Sequence, residues 1–447
     1  MQYEAAVRYL YSLGRELAAP TQAAIAKFDL ENIHLLAERL GHPERSYSSA
    51  HIAGTNGKGS TAAFLESILR QAGYRTGLYT SPHLERINER IRINGQEISD
   101  VAFAESLTRI QALIEQLLAT GALRAHPTYF ECVTAMAFEY FARAGVQFAI
   151  FEVGLGGRLD ATNIVMPEVS VIARIDFDHE NFLGHSLAEI AAEKAGIFKP
   201  AVPAVMTEQH AEARHVILAR AKELRCPVTD LATAYRVERA SFQNGCSRAL
   251  ISEPATEWSI EIAPQLPGRF QMQNALNAIA AARVLQTRGL RITDEAIRQG
   301  IAAAEWPGRL ERIHSEPDIY LDGAHNPGAA RELAAFWDEN FRGRRIFVIY
   351  GALRDKAVDE IAGILFPRAE EVIFTEPRTS RAISAAQLAT IAAHHATRSS
   401  LEPSAEQALE RVLSRATPDD AIFITGSLYL VGQLRQYWKL RAPVATR

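Results

Sequence analysis

One short stretch near the N-terminus constrains the fold of this chain more than any other. Residues 49–53 form a short strand-like run, residues 54–57 form a loop of small residues, and Lys58 opens a segment with apolar residues at helical spacing. A strand, a glycine loop and a helix in this order direct backbone N–H groups and a helix dipole toward one point. The pattern predicts a phosphate-binding loop in an α/β domain. A glycine turn that merely joins a strand to a helix is the simpler alternative.

The spacing of this loop departs from the usual G-x-x-x-x-G-K-[ST] pattern. The two glycines before Lys58 lie closer together, and Gly59 separates the lysine from the hydroxyl groups of Ser60 and Thr61. We expect Lys58 to supply a positive charge that follows the phosphates through transfer. Either Ser60 or Thr61 could face a metal ion, and the sequence leaves both possibilities open.

Length and composition exclude several classes of protein. With 447 residues, the chain is long enough for two or three domains, and its net charge of −4 gives no basic footprint for nucleic acid. No run of eighteen apolar residues predicts a membrane span, and the N-terminus lacks the features of a signal peptide. Three cysteines without a C-x-x-C pair fit a reducing compartment, so we expect a cytoplasmic protein without a zinc site.

Alternating strand and helix patterns predict an α/β fold in two parts. Residues 1–304 are expected to form an N-terminal ATPase domain of the phosphate-loop type with a mainly parallel sheet. Residues 305–317 read as a hinge, because Pro307 and Gly308 break the helical pattern. Residues 318–447 are expected to form a smaller, C-terminal Rossmann-like α/β domain.

Three predicted strands of the N-terminal part end on or just before polar side chains. Ser81, Glu152 and His179 are expected at these strand ends, beside the phosphate-binding loop. A hydroxyl, a carboxylate and an imidazole can together hold a divalent ion, with phosphate oxygens completing its coordination. Taken singly, each has a simpler interpretation: a turn cap, an ion-pair partner and a core histidine.

Lys194 falls on the apolar stripe of a predicted helix that begins near Ser186. The stripe consists of Leu187, Ile190, Ala191, Ile197 and Phe198. A lysine on this face is expected to be partly buried, which lowers its pKa and makes more of it a neutral amine. A neutral amine can add carbon dioxide to form a carbamate, so we predict a carbamylated Lys194 beside a metal ion. A lysine with a buried stem and an exposed amine is the alternative.

Several motifs, in order along nearly the whole chain, resemble those of the folylpolyglutamate synthases and dihydrofolate synthases of the Mur ligase superfamily. The matching segments are residues 54–60, 80–84, 152–157, 193–197, 306–309 and 321–327. Gly59, directly after the loop lysine, resembles this branch in particular. The order of several motifs is more specific than the phosphate-binding loop alone.

The resemblance implies roles for individual residues. Nucleotide contacts are implied for Thr55, Asn56, Gly57, Lys58, Gly59, Ser60, Asn274, Arg309 and Asp322. Magnesium ligands are implied at Ser81, Glu152 and His179, and catalytic roles at Lys58, Lys194 and His325. A pterin-side surface is implied at Lys27, Phe28, Asp29, Leu30, Tyr129, Leu159 and Asp160.

The activity implied by the resemblance is an ATP- and Mg²⁺-dependent ligation of L-glutamate to reduced folates and to dihydropteroate, through an acyl phosphate. The resemblance also favours a monomer that acts on small molecules, without nucleic acid or membrane partners. Another Mur-type ligase with a different acceptor is the nearest alternative. A nucleotide-driven switch or motor is the alternative from another class, and a switch would be indifferent to glutamate. A non-catalytic binding module is a third reading, which the proposed metal and lysine residues disfavour.

Overall fold

The computed structural model describes residues 1–14, 29–243 and 246–441. Its N-terminal part is built on an eight-stranded sheet with the order β4-β3-β2-β5-β1-β6-β7-β8. The strands are β1 (Ser48–Ala53), β2 (Thr76–Tyr79), β3 (Ile91–Ile93), β4 (Gln96–Glu97), β5 (Phe148–Glu152), β6 (Val169–Ile172), β7 (Ala204–Met206) and β8 (Val228–Asp230). All neighbouring strands pair in parallel except β3 and β4, which form an antiparallel edge.

Helices cover both faces of this sheet. They are α1 (Tyr3–Ser12), α2 (Glu31–Arg39), α3 (Lys58–Gln71), α4 (Asp100–Ala119), α5 (Tyr129–Arg143), α6 (Glu180–Leu183), α7 (Leu187–Ala195), α8 (Ala211–Glu223), α9 (Leu231–Ala234), α10 (Arg269–Thr287) and α11 (Asp294–Ala303).

Strand β5 shows how two cores form on one sheet. Phe148 and Ile150 pack into the core beneath α3, α10 and α11, whereas Ala149 and Phe151 pack into the core beneath α1, α2, α4 and α5. Successive side chains of a strand point to opposite faces, so a continuous apolar run is the expected sequence for a strand covered on both sides.

The region before α10 is more regular than the sequence suggests. Its proline-broken pattern up to about residue 257 predicts irregular structure, but the chain forms a three-stranded antiparallel sheet. The strands are β9 (Arg236–Gln243), β10 (Cys246–Glu253) and β11 (Trp258–Ile262). Ile251 and Ile260 pair across β10 and β11 and join the core beneath α10, which anchors the small sheet.

The C-terminal part is a six-stranded sheet with the order β12-β13-β17-β14-β15-β16. Its strands are β12 (Glu311–His314), β13 (Asp318–Leu321), β14 (Ile346–Tyr350), β15 (Glu371–Glu376), β16 (Ser399–Ser404) and β17 (Ala421–Thr425). Its helices are α12 (Pro327–Asn340), α13 (Val358–Leu365), α14 (Ala385–Ala392), α15 (Ala405–Leu413) and α16 (Leu428–Arg441). Only β12 runs antiparallel to its neighbour. The predicted fold class, two α/β units with mainly parallel sheets, is confirmed.

The predicted hinge over 305–317 contains one surprise. Strand β12 lies within it and pairs with β13, so part of this segment belongs to the C-terminal sheet. The division into residues 1–304, 305–317 and 318–447 stays a prediction. Within the described ranges, no helix has the length and apolar character needed to cross a membrane.

Candidate active site

The glycine loop lies between the end of β1 and the start of α3. Gly57 caps α3 with a φ of 86°, and a Cβ atom at this position would collide with the side-chain oxygen of Asn274. The N–H groups of Thr55 and Asn56 donate to the carbonyl of Arg174, at 2.8 and 3.1 Å. These two groups are therefore used within the protein. The first N–H groups of α3 have no acceptor inside their own helix and so remain available to an anion at its N-terminus.

Gly59, the departure from the usual loop spacing, lies beneath the indole of Trp306. A Cβ atom at position 59 would come within 3.0 Å of the ring. The guanidinium of Arg92 also lies over this indole, 5.4 Å from the ring centroid. A residue of the predicted hinge thus packs directly on the first turn of α3, and glycine leaves the room for it.

Lys58 points back over the loop. Its ammonium group donates to the carbonyl of Thr55 at 3.2 Å. Burial lowers the pKa of Lys58, against the charges of Glu152 and Asp178, which favour the protonated form. The following hydroxyl residue, Ser60, is buried, and Thr61 is fully buried with an oxygen that has no hydrogen-bond partner in the described structure.

Ser81 and Glu152 meet at the carboxyl ends of the adjacent strands β2 and β5. The backbone N–H of Ser81 donates to the Glu152 carboxylate at 3.1 Å, and Glu152 is only 5% exposed. Burial raises the pKa of Glu152, whereas the charge of Lys58 and the Ser81 N–H lower it. A buried carboxylate so close to a phosphate-binding loop is suited to a cation.

His179 directly follows Asp178, and its imidazole lies 3.8 Å from the Asp178 carboxylate. It caps α6 in a left-handed conformation, with a φ of 51°. Burial lowers its pKa to about 4, although the Asp178 carboxylate opposes this shift. The imidazole is therefore neutral at pH 7, the form that binds metal ions. The structure therefore places Ser81 in contact with Glu152. It places His179 elsewhere, beside a neighbouring cavity.

Asp178 connects the two parts of the chain. It accepts a hydrogen bond from Lys356 at 2.8 Å and one from Asn326 at 3.3 Å, and His325 lies 3.5 Å away. Burial alone would raise the pKa of Asp178, but the hydrogen bond with His325 and the charge of Lys356 hold it well below its usual value. The aspartate is therefore ionised and anchors three groups of the C-terminal part.

Two cavities open between the N-terminal and C-terminal parts. The first, of about 450 Å³, is lined by Asp178, His179, His325, Arg331 and Lys356, and we call it the Asp178 cavity. The second, of about 430 Å³, is lined by Gly59, Ser81, Glu152, Trp306 and Arg309, and we call it the Ser81 cavity. Lys58 is electrostatically coupled to Glu152 and to Asp178, which line different cavities.

The other predicted nucleotide contacts lie at the same interface. Asp322 is buried and accepts the N–H groups of Leu310 and Ala324, each at 2.9 Å. Burial raises the pKa of Asp322, against the charge of Arg309. The Asp322 carboxylate thereby fixes the turn that carries Arg309 toward the Ser81 cavity. Asn274 lies on α10, and its side chain contacts the phosphate-binding loop at Gly57. Its amide donates a 3.0 Å hydrogen bond to Gln271.

Lys194 is buried, as its position on the apolar stripe predicts. It is 4% exposed and lies in the last turn of α7, where its amine donates to the carbonyl of Gly54 at 2.9 Å. Burial, followed by the charge of Lys58, lowers its pKa to about 7. In this arrangement the amine supports the phosphate-binding loop directly.

Known protein families match both parts of the chain. The profile of the Mur ligase middle domain matches residues 52–282, and that of the Mur ligase glutamate ligase domain matches residues 308–428. A Bacillus subtilis protein named dihydrofolate synthase/folylpolyglutamate synthase is 38% identical over 415 residues, which cover 90% of this chain and 93% of that protein. The chain belongs to the Mur ligase family, in its folylpolyglutamate synthase branch. It is therefore an ATP-dependent ligase.

Solved structures agree with this assignment. The Mycobacterium tuberculosis folylpolyglutamate synthase complexed with ADP and AMPPCP superimposes with a TM-score of 0.88 at 32% identity, over 98% of this chain and 99% of that one. An Escherichia coli FolC structure in complex with DHPP and ADP gives a TM-score of 0.86 at 31% identity, over 99% and 98% of the two chains.

The pterin-side residues predicted for this ligase are not all described. Lys27 and Phe28 lie outside the described residues. Asp29 accepts the N–H of Glu31 at 2.9 Å and so supports the start of α2, and Leu30 packs against the core beneath α1 and α2. The hydrogen bond of Asp29 and the packing of Leu30 together position this segment at the start of α2.

Leu159 and Asp160 belong to the glycine loop after β5. Asp160 is buried and accepts the N–H groups of Gly154 and Leu155, each at 2.9 Å, and that of Thr162 at 3.0 Å. Burial raises the pKa of Asp160, although these hydrogen bonds oppose the shift. Half-buried Leu159 precedes it on the same turn. The carboxylate therefore organises the loop.

Tyr129 opens α5 and is buried against aromatic and cationic groups. Its ring stacks on Tyr11, with centroids 6.1 Å apart, and the Arg90 guanidinium lies 5.5 Å from its centroid. Tyr129 thus lies in the wall formed by α1, α5 and the loop before β3.

The structure also brings forward residues of this ligase that the sequence analysis did not single out. Asp178, Asn326, Arg331 and Lys356 line the Asp178 cavity. A signal was available for two of them, because Asp178 precedes a predicted metal ligand and Asn326 follows a predicted catalytic residue. Lys356 and Arg331 gave no such signal, since a lysine in a loop and an arginine on a helix are usually solvated.

Proposed function

We propose that this ligase adds L-glutamate to reduced folates and also to dihydropteroate, so that it is bifunctional. The observation that carries the proposal is the meeting of three parts at one interface: the loop with Lys58, the buried carboxylate of Glu152 and the C-terminal turn with His325. Relatives named for both activities support the acceptor class. The E. coli structure with DHPP and ADP supports a site for a pterin beside a nucleotide site.

The mechanism follows from what each side chain can do. ATP lies on the loop, where the first N–H groups of α3 and the Lys58 ammonium stabilise charge on the phosphates. A carboxylate of the acceptor attacks the γ-phosphorus, and ADP leaves. The L-glutamate amine then attacks the acyl carbon of the acyl phosphate, loses a proton and displaces inorganic phosphate, which leaves an amide. Closure of the two parts excludes the water that would hydrolyse the acyl phosphate.

Magnesium fits the residues present. Burial disfavours the charged form of the Glu152 carboxylate, which a cation would stabilise, and Ser81, whose N–H donates to Glu152, also carries a hydroxyl group. We propose His179 as the third group; its imidazole is neutral but lines the Asp178 cavity, so it must approach Glu152 when the two parts close. Because Mg²⁺ prefers oxygen ligands, we propose that phosphate oxygens and water complete the set. The ion, when bound, neutralises charge that develops on the transferring phosphoryl group.

The Asp178 cavity offers two cations to the carboxylates of L-glutamate, among several acidic side chains that also line it. Lys356 and Arg331 line it, and the side chain of Lys356 is only 6% exposed. We propose that these cations bind the carboxylates of glutamate, while Asp178 and His325 lie close enough to contact its amine. Lys356 must loosen its 2.8 Å ion pair with Asp178 to do so, which couples glutamate binding to movement at the interface.

We further propose that Lys194 is carbamylated in the active enzyme. The neutral amine attacks carbon dioxide, a C–N bond forms and a proton leaves, which places a carboxylate near Lys58. The burial of Lys194 and its pKa of about 7 support the reaction. The test is the NMR spectrum of protein equilibrated with ¹³C-bicarbonate. A carbamate resonance in the wild type that is absent in Lys194→Arg is expected, and a wild type that is fully active without this resonance would refute the proposal.

ADP release with each acceptor in turn tests the proposed function. Wild-type protein should turn over ATP only when L-glutamate is present together with dihydropteroate or tetrahydrofolate, and Lys58→Ala should fold normally but lose turnover. Turnover with tetrahydrofolate but never with dihydropteroate would leave a single activity. Turnover only with another carboxylate acceptor would favour a different Mur-type ligase, and indifference to glutamate would favour a switch.

The organisation of the molecule completes the proposal. We expect three segments, over residues 1–304, 305–317 and 318–447, in a monomeric protein of the cytoplasm, where ATP and glutamate are abundant. Limited proteolysis would test the three segments, and sedimentation analysis would test the monomeric state.

A further inference from the structure

Three titratable side chains converge on the surface of the C-terminal part. Asp359 lies in the first turn of α13, and His394 and His395 lie in a 3₁₀ turn, Ala393–His395, directly after α14. The Nε2 atom of His395 lies 3.0 Å from a carboxylate oxygen of Asp359, and that of His394 lies 3.6 Å from the same oxygen. None of the three lines either interface cavity.

Hydrogen bonding accounts for only part of this arrangement. The 3.0 Å contact between His395 and Asp359 is a hydrogen bond, but 3.6 Å from His394 is too long for one. The two imidazole rings are nevertheless 4.0 Å apart, and both direct the same nitrogen toward one oxygen. Two protonated imidazoles at this distance would repel each other. Two neutral imidazoles can instead bind one metal ion between them with their nitrogen lone pairs.

The distances match those between the ligands of a metal ion. Bonds of about 2.0–2.1 Å in a tetrahedral site place neighbouring ligand atoms about 3.3 Å apart. The two oxygen–nitrogen distances of 3.0 and 3.6 Å bracket this value, and all three ligand atoms lie within 4.8 Å of one another. Among the residues that the structure describes, this is the one such group of three.

We propose that Asp359, His394 and His395 form a binding site for a divalent transition-metal ion of the zinc type. Two imidazole nitrogens and one carboxylate oxygen favour Zn²⁺, Ni²⁺ or Cu²⁺ over Mg²⁺, which prefers oxygen. The side chains of His394 and Asp359 are 63% and 67% exposed, so the ion can enter from solvent and water can complete its coordination. The site is separate from the magnesium site proposed for catalysis.

The chain gives the His395 ring a defined place. Gly363 lies one turn after Asp359 on α13, and a Cβ atom there would come within 3.3 Å of the His395 ring. The ring therefore packs against bare helix backbone, and its side chain is only 26% exposed. An ion bound here would tie α13 to the end of α14, so it should stabilise the folded protein, with the logarithm of its concentration once the site is saturated.

Metal titration of untagged, chelator-treated protein tests the proposal, with a millimolar excess of Mg²⁺ to occupy the catalytic site. Zn²⁺ followed by calorimetry should bind one equivalent at micromolar concentration, and Co²⁺ should give visible absorption bands. His394→Ala, His395→Ala and Asp359→Asn should each weaken this binding at least tenfold and abolish the rise in Tm on adding Zn²⁺. His215→Ala, at an exposed histidine on α8, is the matched control and should behave as the wild type.

Ligase turnover without added transition metal should be unchanged in all four variants, which shows that they are folded. The proposal is overturned if the wild type binds no Zn²⁺ in the micromolar range. It is equally overturned if Asp359→Asn and His394→Ala retain the wild-type affinity and stoichiometry, because the ion would then be bound elsewhere.

Discussion

Asn56 and Asn326 lie 270 positions apart in the chain and exchange two side-chain hydrogen bonds. The Asn326 amide donates to the Asn56 oxygen at 2.9 Å, and the Asn56 amide donates back at 3.2 Å. Asn326 also caps α12 by accepting the N–H of Ala329 at 2.8 Å. One side chain thus holds the phosphate-binding loop against the first turn of a C-terminal helix. The Asn56–Asn326 pair therefore fixes the position of the N-terminal part relative to the C-terminal part.

Replacing Asn326 separates its two roles. Serine is a good N-cap, so Asn326→Ser should keep α12 capped but lose the amide pair, whereas Asn326→Ala loses both. We expect both variants to lower kcat/KM at least tenfold. Asn326→Ala alone should also lose about 1 kcal/mol of stability, the usual effect of a lost cap. Steady-state kinetics and urea unfolding measure the two effects, and wild-type kinetics in Asn326→Ser would show that the pair is dispensable.

The contact between Gly59 and Trp306 predicts a size constraint. Gly59→Ala places a methyl group 3.0 Å from the indole of Trp306, which lines the Ser81 cavity, so the ring must shift by a few tenths of an ångström. We expect a raised KM for ATP and a stability loss of about 1–3 kcal/mol, typical of overpacking. Trp306→Leu in the same chain should restore part of both losses. A double-mutant cycle with additive effects would show that the two positions do not interact.

Glu152→Gln tests the proposed magnesium site. The substitution removes a negative charge and keeps the shape, so the Mg²⁺ concentration for half-maximal activity should rise at least tenfold. Glu139→Gln is the control, because Glu139 is also a buried carboxylate but pairs with Arg109 at 2.7 Å, away from both cavities. An unchanged magnesium requirement in Glu152→Gln would make Glu152 a structural partner of Lys58.

Lys194 predicts a pH-dependent stability in buffers free of carbon dioxide. Its pKa is lowered from 10.5 to about 7, so between these pH values the unfolded chain holds a proton that the folded chain has released. The free energy of unfolding should therefore rise with pH in this window, by up to ~1.4 kcal/mol per unit from this group. Below pH 7 both states are protonated and the burial penalty is complete.

Lys194→Met lacks this proton. The free energy of unfolding of Lys194→Met minus that of the wild type should be largest near pH 6, and this difference should shrink toward pH 10. Denaturant unfolding of both proteins at several pH values measures this difference, and parallel curves would mean that the amine stays protonated in the fold. The variant should be inactive at every pH, because the carbamate cannot form.

Much of the architecture could be read from the order of residues. The strands that carry the site are short continuous apolar runs, and this pattern is set by burial on both faces of the sheet. Strands that lack such an apolar run were not predicted. Edge strands β12 and β16 are largely polar and only partly buried, and in the small sheet the described side chains of β9 over residues 236–241 are all exposed.

What the sequence by itself determined is local: the glycine loop, the polar residues at strand ends and the lysine on an apolar stripe each follow from the period of one element. The tertiary structure decided which of these groups meet. It placed Trp306 on Gly59, Asn326 against Asn56 and Lys356 on Asp178, and it placed Ser81 with Glu152 but His179 beside another cavity. The physical reason is that periodicity gives the face of an element, whereas contacts between distant elements depend on the order of strands in a sheet and on how the two sheets are packed together.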